Sequence, residues 1–358
     1  MALKALSAYT AYLAARHQED QEAIANELAL ALYPLWRTVE FEDLDGSMLA
    51  WLPTVLPRIR TAFLQSQRVT AVYTQNLRFA SLPTEDPLPI SVPDVEPPRT
   101  ALSPGAFDMP DLGDALDEDV LPVFEEFPEA QVAESLTIEA DFKTKKQMPG
   151  PREELMEKAL VRSSGEAIRH AMDGSRGVSE NIVKRDRRAL GYARVTDSNP
   201  CSFCAVLASH GLYYSKEAFA RENPRRRRGR RSDAEFIANP NARKDLPKGW
   251  LDVAKVHNNC RCTLRPVYTK STGMDDAANY WLDAWNDITA DNPWATNAEH
   301  LRQFDKWHKA NPYPGTQFDL YELERDLRDR RDSLLDAGFP PDSPQVYWAE
   351  RAGRNLVA

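Results

Sequence analysis

The feature that most constrains this chain is a set of cysteines placed in two short motifs. The first motif is Cys201-Ser202-Phe203-Cys204, and after 52 intervening residues the sequence His-Asn-Asn-Cys-Arg-Cys begins at His257. Two cysteines separated by two residues can direct both sulfurs at one point, and a histidine and a cysteine three residues apart can do the same. The chain has four cysteines and all lie in these motifs. The pattern therefore predicts a small module in which the two motifs meet in space and hold the two ends of a long insertion together.

Thiolate sulfur and imidazole nitrogen are the ligands that Zn²⁺ prefers in a tetrahedral structural site. The candidate ligands are Cys201, Cys204, His257, Cys260 and Cys262. Since four ligands suffice, the preferred set is the first four, and Cys262 either replaces His257 or stays outside the site. We predict a structural zinc that fastens the two ends of the insertion, because no open coordination position with a nearby general base is evident.

Three other interpretations of the cysteines stay open. Disulfides would suit an extracellular particle but not a protein assembled in cytoplasm. Cys201 and Cys204 could form a redox pair, although the strand-rich thioredoxin context is missing. All four could also be buried apolar residues, which their clustering argues against.

The charge of the chain is unevenly distributed. The 45 basic and 54 acidic residues give a net charge of −9. Between residues 81 and 141 sixteen acids accompany one base and ten prolines, so this segment buries too little apolar surface to offset its ordering entropy. It is predicted to be a solvated linker; the alternative is an extended arm that is ordered against a neighbouring subunit. Phe107, Phe124 and Phe127 are the side chains that would dock on a partner or on the folded domain.

A basic tract lies within the long insertion. It comprises Arg225, Arg226, Arg227, Arg228, Arg230 and Arg231. Its two interpretations are a solvated surface loop and a contact with phosphate or an acidic partner, for which guanidinium groups are well suited. A chain that is acidic overall does not coat nucleic acid generally, and aromatic residues for base stacking are missing from the tract.

The hydrophobic periodicity predicts a mainly α fold with a small α+β module. Apolar residues at steps of three and four predict one helix up to Pro34 and a second from Asp43 to Leu82, broken near Pro53 and Pro57. A helical region from Arg152 to Arg188 is expected to turn at Gly174 and Gly177. Short strands are predicted at 191–196 and 263–268, the latter at an edge. Between them, residues 205–210 are expected to form a helix closed by a left-handed Gly211.

Four regions follow from this pattern: a helical region at 1–82, the acidic linker at 83–149, the cysteine module at 150–270, and a helical, tryptophan-rich region at 271–358. In the last region Trp281 and Trp285 share a helix face, and a further helix is expected to end at Gly338. No apolar run reaches the roughly 18 residues that a membrane-spanning helix needs, so no membrane association is expected.

The usual catalytic motifs are missing from the sequence. It contains no G-x-S-x-G elbow, no phosphate-binding G-x-x-x-x-G-K-[ST] loop and no H-E-x-x-H pair. A pairing of His170 with Ser163, Ser164 or Ser179 stays open, whereas His17, His300 and His308 are expected on helix surfaces. We therefore predict that the chain is not an enzyme.

Three segments together resemble a known family. They are Gly191–Thr196, Pro200–Ser209 and His257–Cys262, and they are similar to the MuF-like minor head proteins of tailed bacteriophages, most of all to the version from phages of actinobacteria. Residues 30–36 resemble the helical start of those proteins. One departure is Asn258, where the family often has a proline after the histidine.

The resemblance implies a structural minor capsid protein near the portal vertex, inside the phage head, that acts in head morphogenesis and in DNA packaging or ejection. The implied partners are the portal protein, the inner surface of the major capsid protein and packaged double-stranded DNA. The implied location is the virion, after assembly in the host cytoplasm. Members of this family are also labelled capsid maturation protease, which is the first alternative. A zinc-ribbon protein that binds nucleic acid is the second.

Overall fold

The computed structural model describes residues 6–90, 95–96, 121, 123–197, 199–209, 211, 214–215, 261–269 and 275–357. The helices are α1 (Ser7–Trp36), α2 (Leu44–Ser81), α3 (Glu129–Thr137), α4 (Lys143–Lys145), α5 (Arg152–Arg185), α6 (Ser202–Ser209), α7 (Asp276–Asp291), α8 (Asn297–Ala310), α9 (Leu320–Asp336) and α10 (Pro344–Val357). A π-helical turn, Ile138–Phe142, joins α3 to α4. The mainly α prediction is therefore confirmed. His257, Cys260 and the basic tract lie outside the described residues.

The centre of the fold is a layer of three long helices, α1, α2 and α5. The Leu6 amide donates to the Ala80 carbonyl, which places the start of α1 beside the end of α2. At the other end of this antiparallel pair Trp36 and Trp51 meet edge to face, with ring centroids 5.5 Å apart. Apolar side chains from all three helices form one buried cluster. Burying each such side chain contributes roughly 1.5–3 kcal/mol, so this layer is the main core of the protein.

The predicted break in α2 is wrong, because the helix runs through Pro53 and Pro57 without interruption. A proline lacks the amide that would bond to the carbonyl four residues earlier, so the carbonyls of Leu49 and Pro53 lose their helical partners. Leu49, Pro53 and Pro57 are all exposed, and water can satisfy these carbonyls. The opposite face is held in the core by Trp51 and Val55.

The predicted turn at Gly174 and Gly177 is also wrong, since both glycines lie inside the continuous helix α5. Gly174 is required by packing. A Cβ atom at this position would lie 2.5 Å from the Phe63 carbonyl oxygen on α2, closer than the two atoms can approach. The glycine therefore permits α5 to approach the backbone of α2 closely.

The two ends of the predicted solvated linker are packed onto the helical layer. Leu88, Ile90 and Val123 are buried against α2 and α5, and the Leu121 amide donates to the Pro89 carbonyl at 2.7 Å. The spacer interpretation is wrong for these ends, because their few apolar residues are the ones that dock. Phe124 and Phe127 pack against the same layer, whereas Phe107 lies outside the described residues. The division into four regions stays a prediction.

Three antiparallel strands, β1 (Gly191–Val195), β2 (Tyr214–Ser215) and β3 (Thr263–Val267), form a sheet in the order β2-β1-β3. Gly191 pairs with Ser215 on one side and with Val267 on the other. The predicted strands at β1 and β3 are confirmed, and among the strands that the structure describes β3 lies at an edge, as expected. Gly211 has a φ of 55°, so the predicted left-handed residue after α6 is also confirmed.

The C-terminal helices pack in two places. Helices α7 and α8 cover α6 through a cluster that contains Trp281 and Phe304, and α9 and α10 extend the core beside α1 and α2. Trp348 of α10 donates to the Asn76 side chain at 2.7 Å. Gly338, with a φ of 88°, follows α9 as predicted. In the described part of the chain, no helix combines the length and apolarity needed to cross a membrane.

Candidate metal centre

The fold brings three of the predicted ligands together. Cys204 and Cys262 are both buried and pack against each other, and Cys201 lies at the edge of the same cluster with Phe203. The first motif and the end of the second motif are therefore neighbours in space although a long insertion separates them in sequence.

The first motif forms a knuckle at the start of α6. The Cys204 amide donates a hydrogen bond to Cys201 Sγ at 3.4 Å. The Ala205 amide donates to the Cys201 carbonyl at 3.0 Å and so begins the helix. Ser202 Oγ donates to Asp305 Oδ1 at 2.7 Å, which fixes this end of α6 to α8. A backbone amide that donates to a cysteine sulfur inside a C-x-x-C sequence is compatible with that sulfur being a metal ligand.

His308 of α8 lies beside this knuckle and was missed by the sequence analysis, which expected it on a helix surface. Its side chain is buried, and Nε2 has no hydrogen-bond partner among the described residues. Its ring packs against Trp281, with ring centroids 4.9 Å apart. Burial lowers the pKa of His308, while the negative charges of Cys201 and Asp305 oppose that shift. The other two histidines expected on helix surfaces, His17 and His300, are buried as well, so that expectation is wrong for all three.

The end of the second motif is held by α1. Gln18 Nε2 donates to the Arg261 carbonyl at 3.1 Å, and its Oε1 accepts from Thr263 Oγ1 at 3.2 Å. Arg261 Nη1 donates to Asn26 Oδ1, also at 3.1 Å. Because Gln18 is buried, both bonds lie away from bulk water. The N-terminal helix is therefore part of the surroundings of the cysteine cluster.

Helix α5 holds the same segment from the other side through Arg176. Its Nε and Nη2 donate to the Cys262 carbonyl at 3.2 and 3.1 Å. Its Nη1 donates to Asp173 Oδ1 at 2.7 Å, and Asp173 Oδ2 accepts from Arg169 Nη1 at 3.2 Å. Two residues beyond Cys262, the Leu264 carbonyl accepts from Ser179 Oγ at 2.7 Å. Consecutive residues of the motif are thus fixed to two different helices.

His170 belongs to the charged network of α5. Its Nε2 lies 3.2 Å from Glu166 Oε1, and its Nδ1 lies 3.7 Å from Asp173 Oδ2. Burial alone would raise the pKa of Glu166, but hydrogen bonds from His170 and Arg169 lower it to about 2. The Glu166 carboxylate is therefore ionised at neutral pH and accepts hydrogen bonds from Arg169 and His170.

Two of the three serines proposed as partners of His170, Ser163 and Ser179, make other contacts. Ser163 Oγ donates to the Ala159 carbonyl and Ser179 Oγ to the Leu264 carbonyl, each at 2.7 Å. These bonds are internal to α5 or connect it to β3, and they occupy the hydroxyl hydrogens. The prediction that the chain is not an enzyme stays a prediction.

The zinc prediction likewise stays a prediction. Within the part of the chain that the structure describes, no group of three or more His, Cys, Asp or Glu side chains is arranged to hold a metal ion. Two of the five candidate ligands, His257 and Cys260, lie outside that part. The observation that bears on it is the packing of Cys201, Cys204 and Cys262 in one cluster.

A comparison with known protein families gives a match to the part of the chain that carries the cysteine motifs. Residues 118–288 match the family model of the VG15 protein. This viral family suggests a phage-encoded protein. No curated protein and no solved structure matches the chain. The VG15 match does not distinguish a MuF-like minor head protein from other phage proteins.

The VG15 match includes the cysteine motifs and α5, with Arg176. It does not include α1, which carries Gln18 and Asn26, or α8, which carries His308. The side chains that surround the cysteine cluster therefore come from inside and outside the matched region.

Proposed function

We propose that this chain is a structural minor capsid protein that sits near the portal vertex inside a phage head and acts in head morphogenesis. One observation carries the proposal: the VG15 match spans both cysteine motifs, and those motifs resemble the MuF-like minor head proteins. The three-helix layer and the C-terminal helices that pack on it suit a protein whose role is to hold other subunits.

The proposed partners are the portal protein and the inner surface of the major capsid protein, with packaged double-stranded DNA as a further contact of the basic tract. Guanidinium groups bind phosphate and carboxylate in a bidentate manner, and the tract from Arg225 to Arg231 offers six of them. The proposed location is the capsid interior, after assembly in the host cytoplasm.

Quantitative mass spectrometry of purified virions tests this function. We expect peptides from the full length of the chain, at a copy number close to that of the portal protein in the same digest. Portal peptides serve as the internal standard. Absence of the chain from mature particles, together with a trimmed major capsid protein, would contradict the structural role and favour the protease alternative.

We further propose that zinc binds at the cysteine cluster through four of the five candidate ligands. Zinc would cross-link the start of α6 to the segment before β3, and binding free energy at such a site contributes directly to folding. The support is local: Cys201 and Cys204 form a knuckle with an amide-to-sulfur bond, and Cys262 packs on Cys204.

The metal content of the purified chain, prepared with a thiol reductant, tests the site. We expect about one zinc per chain, and we expect Cys204→Ser to lose it because serine is a poor zinc ligand. Cys262→Ser serves as the comparison, since it loses zinc only if Cys262 is a ligand. A chain without zinc and with all thiols titratable would show that the cysteines are only buried residues, whereas missing thiols would indicate disulfides.

A further inference from the structure

We propose that this chain forms a dimer with a second copy of itself through one exposed stripe of α2. This α2 stripe comprises Asp45, Leu49, Pro53, Leu56 and Arg60. The five residues follow one another at steps of four, four, three and four, and α2 is continuous over all of them, so they lie on one face of the helix. The inference depends neither on the proposed capsid role nor on the proposed zinc site.

The middle of the α2 stripe is apolar and faces solvent. Leu49 has 73% of its surface exposed, and Pro53, one turn later, is exposed as well. Leu56 is half-buried, because it also packs against the core cluster of the three long helices. A single exposed leucine needs no explanation. An apolar row that continues over two turns between charged residues is typical of an interaction surface.

The two ends of the α2 stripe carry opposite charges. At the first end Asp45 Oδ1 lies 2.6 Å from Lys145 Nζ, which also lies 2.8 Å from Asp141 Oδ1. Two carboxylates share one ammonium group there, so two negative charges and one positive charge leave a net charge of −1. The Asp45 side chain is 77% exposed and can accept from a further cation. At the other end Arg60 is exposed, and among the described residues it has no ion pair.

The order of the residues in the α2 stripe selects a second copy as the occupant. The stripe is symmetric about the peptide bond between residues 52 and 53. Counted outward from the two residues of this bond, Leu49 and Leu56 each lie three positions away, and the two charged ends each lie seven positions away. When two copies of α2 cross antiparallel on a two-fold axis at this bond, each residue meets the one at the same distance on the other side. Leucine then meets leucine, and each acidic end meets the basic end of the other copy.

The charges also fix the direction of the pairing. A parallel arrangement would oppose Asp45 to Asp45 and Arg60 to Arg60, and like charges in contact disfavour association. Pro53 and Pro57 leave two carbonyls of α2 without helical amides, and bridging waters at an interface can satisfy them. The pairing therefore has one favoured direction and one favoured register.

Sedimentation equilibrium of the full chain tests the dimer, with a thiol reductant present so that no intermolecular disulfide contributes. We expect a monomer–dimer equilibrium that depends on concentration. Leu49→Gln is expected to weaken the dimer about 100-fold, because the two-fold axis removes two leucine contacts at once. Leu30→Gln is the matched control, since Leu30 is 75% exposed on α1 and lies outside the stripe; we expect a change of less than about twofold.

Charge reversal tests the direction and the register. Arg60→Asp and Asp45→Arg each oppose like charges, and each is expected to weaken the dimer about tenfold or more. The variant with both changes again has opposite charges facing each other at both ends. We therefore expect it to dimerise more tightly than either single variant, whereas two independent effects would multiply to a loss of about 100-fold.

All of these substitutions change exposed side chains, and circular dichroism checks that each variant folds. Equal dimerisation of the wild type and Leu49→Gln would overturn the inference, and so would a double charge variant that is weaker than both single variants. A wild-type chain that stays monomeric at every concentration measured would overturn it as well. None of these results bears on the proposed capsid role or on the zinc site, which have their own tests.

Discussion

Trp281→Ala is expected to lower the free energy of unfolding by about 3–5 kcal/mol, the usual cost of truncating a buried aromatic residue. Trp281 is fully buried where α7 meets α6 and α8. Its ring neighbours include Tyr280 at 4.9 Å and Trp307 at 6.4 Å. These rings cannot move into the space that alanine would leave without losing their own contacts, so a cavity would form.

The consequence extends to the cysteine knuckle, because α6 carries Cys204 and packs on Trp281 through Ala205 and Val206. Urea unfolding followed by circular dichroism measures the loss. Trp294→Ala is the matched control: the same residue type, in the loop after α7, with 94% of its surface exposed, for which we expect less than about 0.5 kcal/mol. Similar losses in the two variants would contradict the packing of α7 on α6.

Acidification from pH 7 to pH 4 is expected to remove about 3 kcal/mol of stability through His17 alone. Burial lowers the pKa of His17 from its ordinary 6.5 to about 3. Between these two pH values the unfolded chain binds a proton that the folded chain does not. Stability is therefore fully present above about pH 6.5 and is lost as the pH falls, by at most about 1.4 kcal/mol per unit.

The surroundings of His17 explain why its neutral form is required. Gln21 Oε1 accepts from Ser66 Oγ at 2.7 Å, so the amide nitrogen of Gln21 points at His17 Nε2, 3.1 Å away. An amide nitrogen only donates, so a neutral His17 can accept from it through Nε2, which also lies 2.9 Å from Thr70 Oγ1. The ring also stacks on Tyr73, with centroids 4.2 Å apart. Protonation would place two donors face to face inside the core.

His17→Gln isolates this contribution, since glutamine is polar but does not titrate in this range. The free energy of unfolding of both proteins is measured from pH 8 to pH 4. The value at pH 8 gives the cost of the substitution itself, and the difference in slope below pH 6.5 gives the titration of His17. Parallel curves over the whole range would show that His17 is not buried in its neutral form.

The sequence predicted those elements whose signal is local. Periodic apolar residues identify α1 and α2, and the pattern at Gly338 identifies the end of α9, because each depends on neighbours along the chain. Pro53 and Gly174 were misinterpreted for the opposite reason. Whether a proline breaks a helix depends on whether the freed carbonyl faces water, and whether a glycine marks a turn depends on what lies against it; neither is visible locally.

The residues of the candidate site also fall into two classes: those that a local sequence signal identifies and those that it does not. The spacing of the cysteines predicted that the two motifs meet, and Cys204 and Cys262 do. It did not predict Gln18 or Arg176, because the bond from Gln18 to Arg261 spans 243 residues. One signal was present: the apolar stripe of α1 is interrupted between Leu13 and Ile24 by His17, Gln18 and Gln21, and polar residues on a buried stripe indicate a buried hydrogen-bond network.

The sheet order has a practical consequence for tracking this protein. The chain leaves the sheet at Ser215, opposite Gly191, and returns at Thr263, opposite Val195, on the two sides of β1. Two strand spacings and a displacement of four residues along β1 place the two exits about 17 Å apart. The sheet fixes the separation of these two exits, and doubling the number of residues between two fixed points costs only about 0.6 kcal/mol in closure entropy. We therefore expect the pairing of β1 with β2 and β3 to tolerate an epitope or fluorescent label inserted between Ser215 and His257.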